Sequence, residues 1–165
     1  MKLRKYKAED SQIICSWVKD EKTLFQWSAD RIGKYPLLGN ELNENYAQRN
    51  IEKDFFPLTA VDKNDDVIGH LFILYPDVND KSVVRFGFVI VSPEIRGKGY
   101  GRKMLELAID YAKKEFGAKK ITLGVFENNP KAQHCYESLG FVPVSQKTVN
   151  IMNTGWVCID MELNL

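Results

Sequence analysis

The sequence is poor in the residues that build metal and disulfide chemistry. Its cysteines, Cys15, Cys135 and Cys158, are three in number and far apart, which fits neither a disulfide framework nor a zinc site. Its two histidines, His70 and His134, do not stand at ligand spacing from them. His134 and Cys135 adjoin, so on a helix their side chains diverge. That disfavours a Cys–His nucleophile and leaves Cys135 as a small helix residue. No apolar run is long enough to span a bilayer, and the basic start Met1–Tyr6 is followed by no apolar signal core or cleavage site. A cytoplasmic location is therefore expected. Charge of one sign is also lacking: 23 basic and 22 acidic residues leave a net charge of +1. Neither nucleic acid nor an anionic membrane is indicated as a partner. The chain also lacks linkers, repeats and low-complexity stretches, so its 165 residues are expected to form one domain, 1–165, with a sizeable core.

What the chain does have is a basic, glycine-rich turn between a strand and a helix. The apolar run Phe86-Gly87-Phe88-Val89-Ile90-Val91 leads into Ser92-Pro93-Glu94-Ile95-Arg96-Gly97-Lys98-Gly99-Tyr100-Gly101-Arg102, and an amphipathic helix pattern over 103–116 leads out. Glycines at alternate positions let the backbone approach a ligand with no Cβ in the way. The helix start offers unpaired N–H groups and the positive end of its dipole. Together these make an anion site suited to a phosphate or pyrophosphate. A P-loop is excluded, since no hydroxyl residue follows the glycine–lysine step to hold magnesium. The Gly-x-Gly-x-Gly spacing and its place past the middle of the chain do not fit a dinucleotide fingerprint either.

A second segment lies downstream. The strand-like run 121–126 precedes Glu127-Asn128-Asn129-Pro130, then Ala132, Tyr136 and Gly140-Phe141. The pattern Arg96-x-x-Gly99-x-Gly101, followed in order by Asn129, Ala132, Tyr136 and Gly140-Phe141, resembles the GNAT superfamily of N-acetyltransferases. The two segments cover residues 86–144. Within the superfamily, Gly87-Phe88-Val89-Ile90 and Gly97-Lys98-Gly99-Tyr100-Gly101 are most similar to the branch holding ribosomal-protein N-terminal and antibiotic acetyltransferases.

Periodicity predicts strands over 2–6, 56–61, 67–74, 82–91, 121–126, 141–149 and 156–163. Helices are expected from Asp10 or Ser11 through Val18, over 21–27, partly over 40–53, over 103–116, and after Asn129. Loops are expected at 33–39 and 150–155. This is an α/β class with a mixed sheet: antiparallel hairpins first, then a right-handed parallel crossover. The resemblance implies the GNAT fold, a sheet of about seven mostly antiparallel strands flanked by helices, with strands 82–91 and 121–126 splayed apart to admit pantetheine. Gly87, inside a bulky strand, marks either a bulge or close backbone approach, or relief of crowding beneath an aromatic ring.

The resemblance further implies acetyl-CoA as co-substrate, no metal, and transfer of its acetyl group to a primary amine by direct attack in a ternary complex. The backbone N–H groups of Gly97, Lys98, Gly99, Tyr100, Gly101 and Arg102 would hold the pyrophosphate, with Arg96 beside them. The stretch Val89-Ile90-Val91 would pair with the pantetheine arm as an added strand does, and a backbone N–H near Val89 would polarise the thioester carbonyl. Asn129 would bond the arm; it also reads as an N-cap with Pro130 at N1. Tyr136 would be the acid that protonates the leaving thiolate, since a phenol of ordinary pKa near 10 is protonated at neutral pH; the plainer alternative is an aromatic packed on its helix.

Several relatives carry a glutamate where this chain has Arg85. Candidate bases are Asp30, Glu41, Glu127 and Asp160, and the expectation is that no single carboxylate is essential. Residues 22–48 and the final hairpin are expected to form the acceptor pocket, with Trp27, Tyr35, Glu41, Trp156 and Asp160 facing a small-molecule or peptide amine. A homodimer through the last strands is a family-level expectation. The missing glutamate also keeps open a non-catalytic acyl-CoA-binding sensor or interaction module.

Overall fold

The structure is a computed structural model that describes residues 1–49, 51 and 53–165. Strands β1 (Lys2–Lys5), β2 (Phe55–Val61), β3 (Val67–Leu74), β4 (Val83–Val91), β5 (Lys120–Phe126), β6 (Val142–Ile151) and β7 (Thr154–Asn164) form one seven-stranded sheet in the order β1-β2-β3-β4-β5-β7-β6. Every pairing is antiparallel except β4 with β5. Helices α1 (Asp10–Ser16), α2 (Glu21–Ser28), α3 (Gly39–Ala47), α4 (Tyr100–Phe116) and α5 (Pro130–Glu137) complete the fold.

Side chains alternate across the strands, so each sheet face builds its own core. On one face α4 presents Met104, Leu105, Ala108 and Ala112, spaced at helical intervals, to Leu71, Ile73, Phe86 and Ile121. On the other, Ile14, Leu24, Trp27, Leu42 and Tyr46 from α1–α3 pack on Phe55, Phe72 and Phe88. The second core is anchored by a buried ion pair. Asp10 is 2 % exposed. It accepts two bonds from Arg4, at 2.7 and 2.8 Å, and one each from the Lys7 N–H and the Thr59 hydroxyl.

Two features of β4 open the sheet. Its ladder to β5 is confined to Val83–Arg85 facing Lys120–Thr122. Beyond Arg85 the strands diverge, and β4 has no ladder partner on that edge among the described residues. One step further, β4 bulges toward β3. His70 pairs with Ile90 and Phe72 with Gly87, so Leu71 alone faces Phe88 and Val89. Phe88 takes the extra turn at φ +50. The bulge reverses the alternation: Val84 and Phe86 belong to the α4 core, whereas Phe88 and Ile90 belong to the other. Gly87 answers to both sequence readings. It adjoins the bulge, and a Cβ there would stand 2.2 Å from the Phe72 ring.

α1 ends at Ser16, two residues before the expected Val18, and three further boundaries differ more in kind. α4 starts at Tyr100 rather than at residue 103, because Gly99 at φ +80 caps it while the apolar stripe begins only at Met104. The final hairpin needs no long loop. β6 and β7 run to Ile151 and Thr154, and the turn is Met152-Asn153, at φ +53 and +58, the backbone of a tight two-residue hairpin. Of the stretch 40–53, the helix occupies Gly39–Ala47; Asn50 and Glu52 lie outside the described residues.

Candidate active site

The divergence of β4 and β5 leaves a cavity of about 610 Å³. Its walls come from both sides of the sheet. Leu105, Leu123 and Tyr136 belong to the α4 core, and Trp27, Phe88 and Ile90 to the α1–α3 core. The cavity therefore passes through the split.

At the α4 end the wall includes Arg96, Gly97, Gly99, Gly101 and Arg102. The N–H groups from Gly97 to Arg102 have no acceptor among the described residues, and the first bond back into the loop is Lys103 N–H to the Gly99 carbonyl. Positive φ at Gly97 and Gly99, +75 and +80, turns the chain so that these donors precede the helix. A Cβ at Gly101 would have no atom within 4 Å, so the space above it is open. The array can hold a pyrophosphate. The basic side chains are partly engaged elsewhere. Arg102 donates to the Ser138 carbonyl and hydroxyl at 2.8 and 2.9 Å and to Glu106, tying α4 to the end of α5. Arg96 donates to the Val91 carbonyl and Lys98 to that of Glu94. Lys98 and Tyr100 do not line the cavity.

In the middle stand Val89, Ile90 and Val91 on one side and Asn129 and Tyr136 on the other. The unpaired edge of β4 offers N–H and C=O groups to an extended arm. Asn129 caps α5, its Oδ1 accepting from Ala132 N–H at 3.4 Å. Tyr136 packs edge-on against Phe141, 6.0 Å between ring centres. Its hydroxyl makes no hydrogen bond to a described residue, and burial raises its pKa well above that of a free phenol. Cys135 lines the cavity too, with its thiol pKa raised by burial, which keeps it a protonated thiol.

At the α2 end the residues named from sequence divide. Trp27 lines the cavity, 9 % exposed, with its ring 5.1 Å from Phe88. Tyr35, Glu41, Trp156 and Asp160 do not line it. The Tyr35 hydroxyl donates to the Lys19 carbonyl, and Glu41 accepts the Leu38 N–H at 2.7 Å as a cap of α3. Trp156 packs between Phe25 and Phe126. Asp160 is held by Arg85 at 2.9 Å and Lys147 at 3.3 Å, and these cations depress its pKa despite its partial burial. Glu162, the next acid on that face, pairs with Lys120. Asp30 and Glu127 are exposed. Thr23, Gln26 and Gly124 escaped the sequence reading, yet all three line the cavity. Gln26 bonds Asn128 across 102 positions of chain, which no local pattern announces. Gly124, a break in an otherwise bulky strand, was the one available signal.

Comparison with known proteins agrees with this geometry. The description "Acetyltransferase (GNAT) family" matches residues 14–141. The chain belongs to the GNAT acetyltransferase family. Its enzymatic class and its acyl donor, acetyl-CoA, follow from that membership. A spermidine N(1)-acetyltransferase of Vibrio cholerae is 44% identical over 54 residues, 33% of this chain and 31% of that enzyme. The chain thus matches only about a third of that relative's length. An uncharacterized N-acetyltransferase of Bacillus subtilis, YycN, is 31% identical over 64% of this chain and 67% of its own. Among solved structures, a spermidine N-acetyltransferase from Vibrio cholerae in complex with CoA and spermine superposes with TM-score 0.78 at 23% identity, over 98% of this chain and 94% of that one. At that identity the likeness bears on the fold. The branch that the glycine-rich segments resemble is not named among these three.

Proposed function

We propose that the protein acetylates a primary amine by direct attack on acetyl-CoA, with donor and acceptor entering the split from opposite faces of the sheet. The observation that carries this reading is the cavity itself, which joins the open N–H array before α4 to the space under α2. The pyrophosphate rests on the N–H groups of Gly97 to Arg102, and pantetheine runs along the unpaired edge at Val89 to Val91 toward Tyr136. A β4 N–H beside the bulge polarises the thioester carbonyl and takes the charge that develops on its oxygen. The neutral amine forms the C–N bond, the C–S bond breaks, and Tyr136 gives its proton to the departing sulfur. Burial favours the neutral phenol, so this proton is held at every working pH. The amine proton leaves to water, since no carboxylate lines the cavity among the described residues, and water returns a proton to the Tyr136 phenolate, which closes the cycle.

The test is release of free CoA thiol from acetyl-CoA in the presence of an amine panel, for the wild type and Tyr136→Phe. Amine-dependent release that falls at least about a hundredfold in the variant, with acetyl-CoA binding retained, supports the reading. Tight acetyl-CoA binding with no release for any amine would favour the sensor or interaction module instead.

A further inference from the structure

Past Arg85 no ladder bond joins β4 to β5 among the described residues, so the width of the split is set by other contacts. Helix α2 lies across it. Its start is fixed by Asp20, which accepts the Thr23 N–H at 2.6 Å, and the fully buried Leu24 roots it in the α1–α3 core. Three consecutive residues then reach three different walls. Phe25 packs edge-on against Trp156 of β7, 6.4 Å between ring centres. The Gln26 amide donates from Nε2 to both the carbonyl and the Oδ1 of Asn128, at 2.9 and 3.0 Å, on the loop between β5 and α5. Trp27 packs on Phe88, the bulge residue of β4. The Asn129 N–H closes a turn on the Phe126 carbonyl at 2.8 Å, so Asn128 cannot move without carrying Asn129. Asn129 lines the cavity, as do Val89 to Val91 of the β4 edge. Gln26 and Trp27 thus tie both sides of the donor channel to one helical turn.

Resting on the acetyl-transfer reading above, we infer that Gln26 is a positioning residue for the donor. Acting through Asn128, it holds the Asn129 side of the split at the separation from the Val89–Val91 edge that the pantetheine arm needs. A free turn would have to be ordered as the arm binds, and the two hydrogen bonds order it beforehand. A side chain of the α2 wall thereby governs affinity for acetyl-CoA.

The experiment is acetyl-CoA binding by calorimetry, with steady-state kinetics on the best amine of the panel, for the wild type, Gln26→Leu, Asn128→Ala and the double variant. Leucine keeps the bulk of glutamine and removes its donors. Gln26→Leu should raise the acetyl-CoA Kd and KM about three- to tenfold, the net scale of one or two hydrogen bonds, with kcat at saturating donor, amine KM and melting temperature unchanged. Asn128→Ala keeps the backbone acceptor and should lose less; lying in an exposed turn, it decides the matter should Gln26→Leu fold poorly. The double variant should do no worse than Gln26→Leu alone, since both changes break one contact. An acetyl-CoA Kd within about twofold of wild type in Gln26→Leu overturns the proposal and leaves acetyl transfer standing. A rise confined to the amine KM does the same, placing Gln26 on the acceptor instead. Additive losses in the double variant overturn the route through Asn128. Failure of a well-folded wild type to bind acetyl-CoA removes both readings together.

Discussion

The Arg85 guanidinium reaches across β5 to bond Asp160 of β7 at 2.9 Å, directly over Gly124. Arg85 is also the last residue of β4 that pairs with β5. The ion pair therefore laces three strands together at the point where the sheet opens, and a Cβ on Gly124 would have to displace the Arg85 guanidinium, 2.8 Å away. The family resemblance had implied a glutamate in this place. Here the nearest acid is instead neutralised by two cations, so it is a weak base and a poor anchor for a cationic substrate.

From this follows an expectation about the base. Alanine at Asp30, Glu41, Glu127 or Asp160, one at a time, leaves turnover within about tenfold of wild type, whereas loss of a true general base costs 10²–10⁴-fold. Steady-state kinetics on the four variants checks this. Glu41→Ala also loses its helix cap and melts earlier, at a cost of about 1 kcal/mol. A drop of a hundredfold or more in any one variant that still binds acetyl-CoA identifies that residue as the base and contradicts the account.

Stability should respond to acid through Asp10. Its carboxyl titrates below the ordinary range because Arg4, the Lys7 N–H and Thr59 hold the charged form against burial. A depressed folded pKa contributes stability that is complete above the unfolded value, near 3.9, and is lost as pH falls through the lower folded value. Urea unfolding from pH 7 down to pH 2 should show the wild type losing stability in that window. Asp10→Ala, which strands Arg4 in a partly buried site, should lose about 3–5 kcal/mol at pH 7 and show a shallower acid limb.

The Met152-Asn153 turn is strained at its first position. A side chain at φ +53 costs about 1–2 kcal/mol that glycine avoids. Met152→Gly gives back part of that through its freer unfolded chain, so a net gain of about 0.5–1 kcal/mol is expected in chemical denaturation. Activity should not change, since the turn does not line the cavity.

The donor side proposed above was legible in the sequence because its parts are local. The glycines, the helix start, Asn129 with Pro130, and Tyr136 one helix later all sit on consecutive elements whose order the hydrophobic pattern reveals. The acceptor side was not, because each role there depends on a distant partner. Asp160 reads as a free acid until Arg85, 75 positions away, is seen to hold it. Glu41 reads as a cleft residue until it is found capping its own helix. Phe88 gives no sign that it takes a positive φ, since a bulge is a property of the strand pair rather than of one strand. The helix start at Tyr100 was missed for a simpler reason: its first turn is polar and glycine-rich, and periodicity begins only where the helix meets the core.

The most direct test of the central claim is acetyl-CoA binding by calorimetry, for the wild type and Gly101→Glu. Gly101 lies in a helical turn with open space above it, so the substitution should fold normally while setting a carboxylate where the pyrophosphate must rest. Tight binding by the wild type, abolished in a Gly101→Glu protein of unchanged melting temperature, is the predicted result. Equal binding by both proteins, or none by a well-folded wild type, would contradict the placement of the donor in this split.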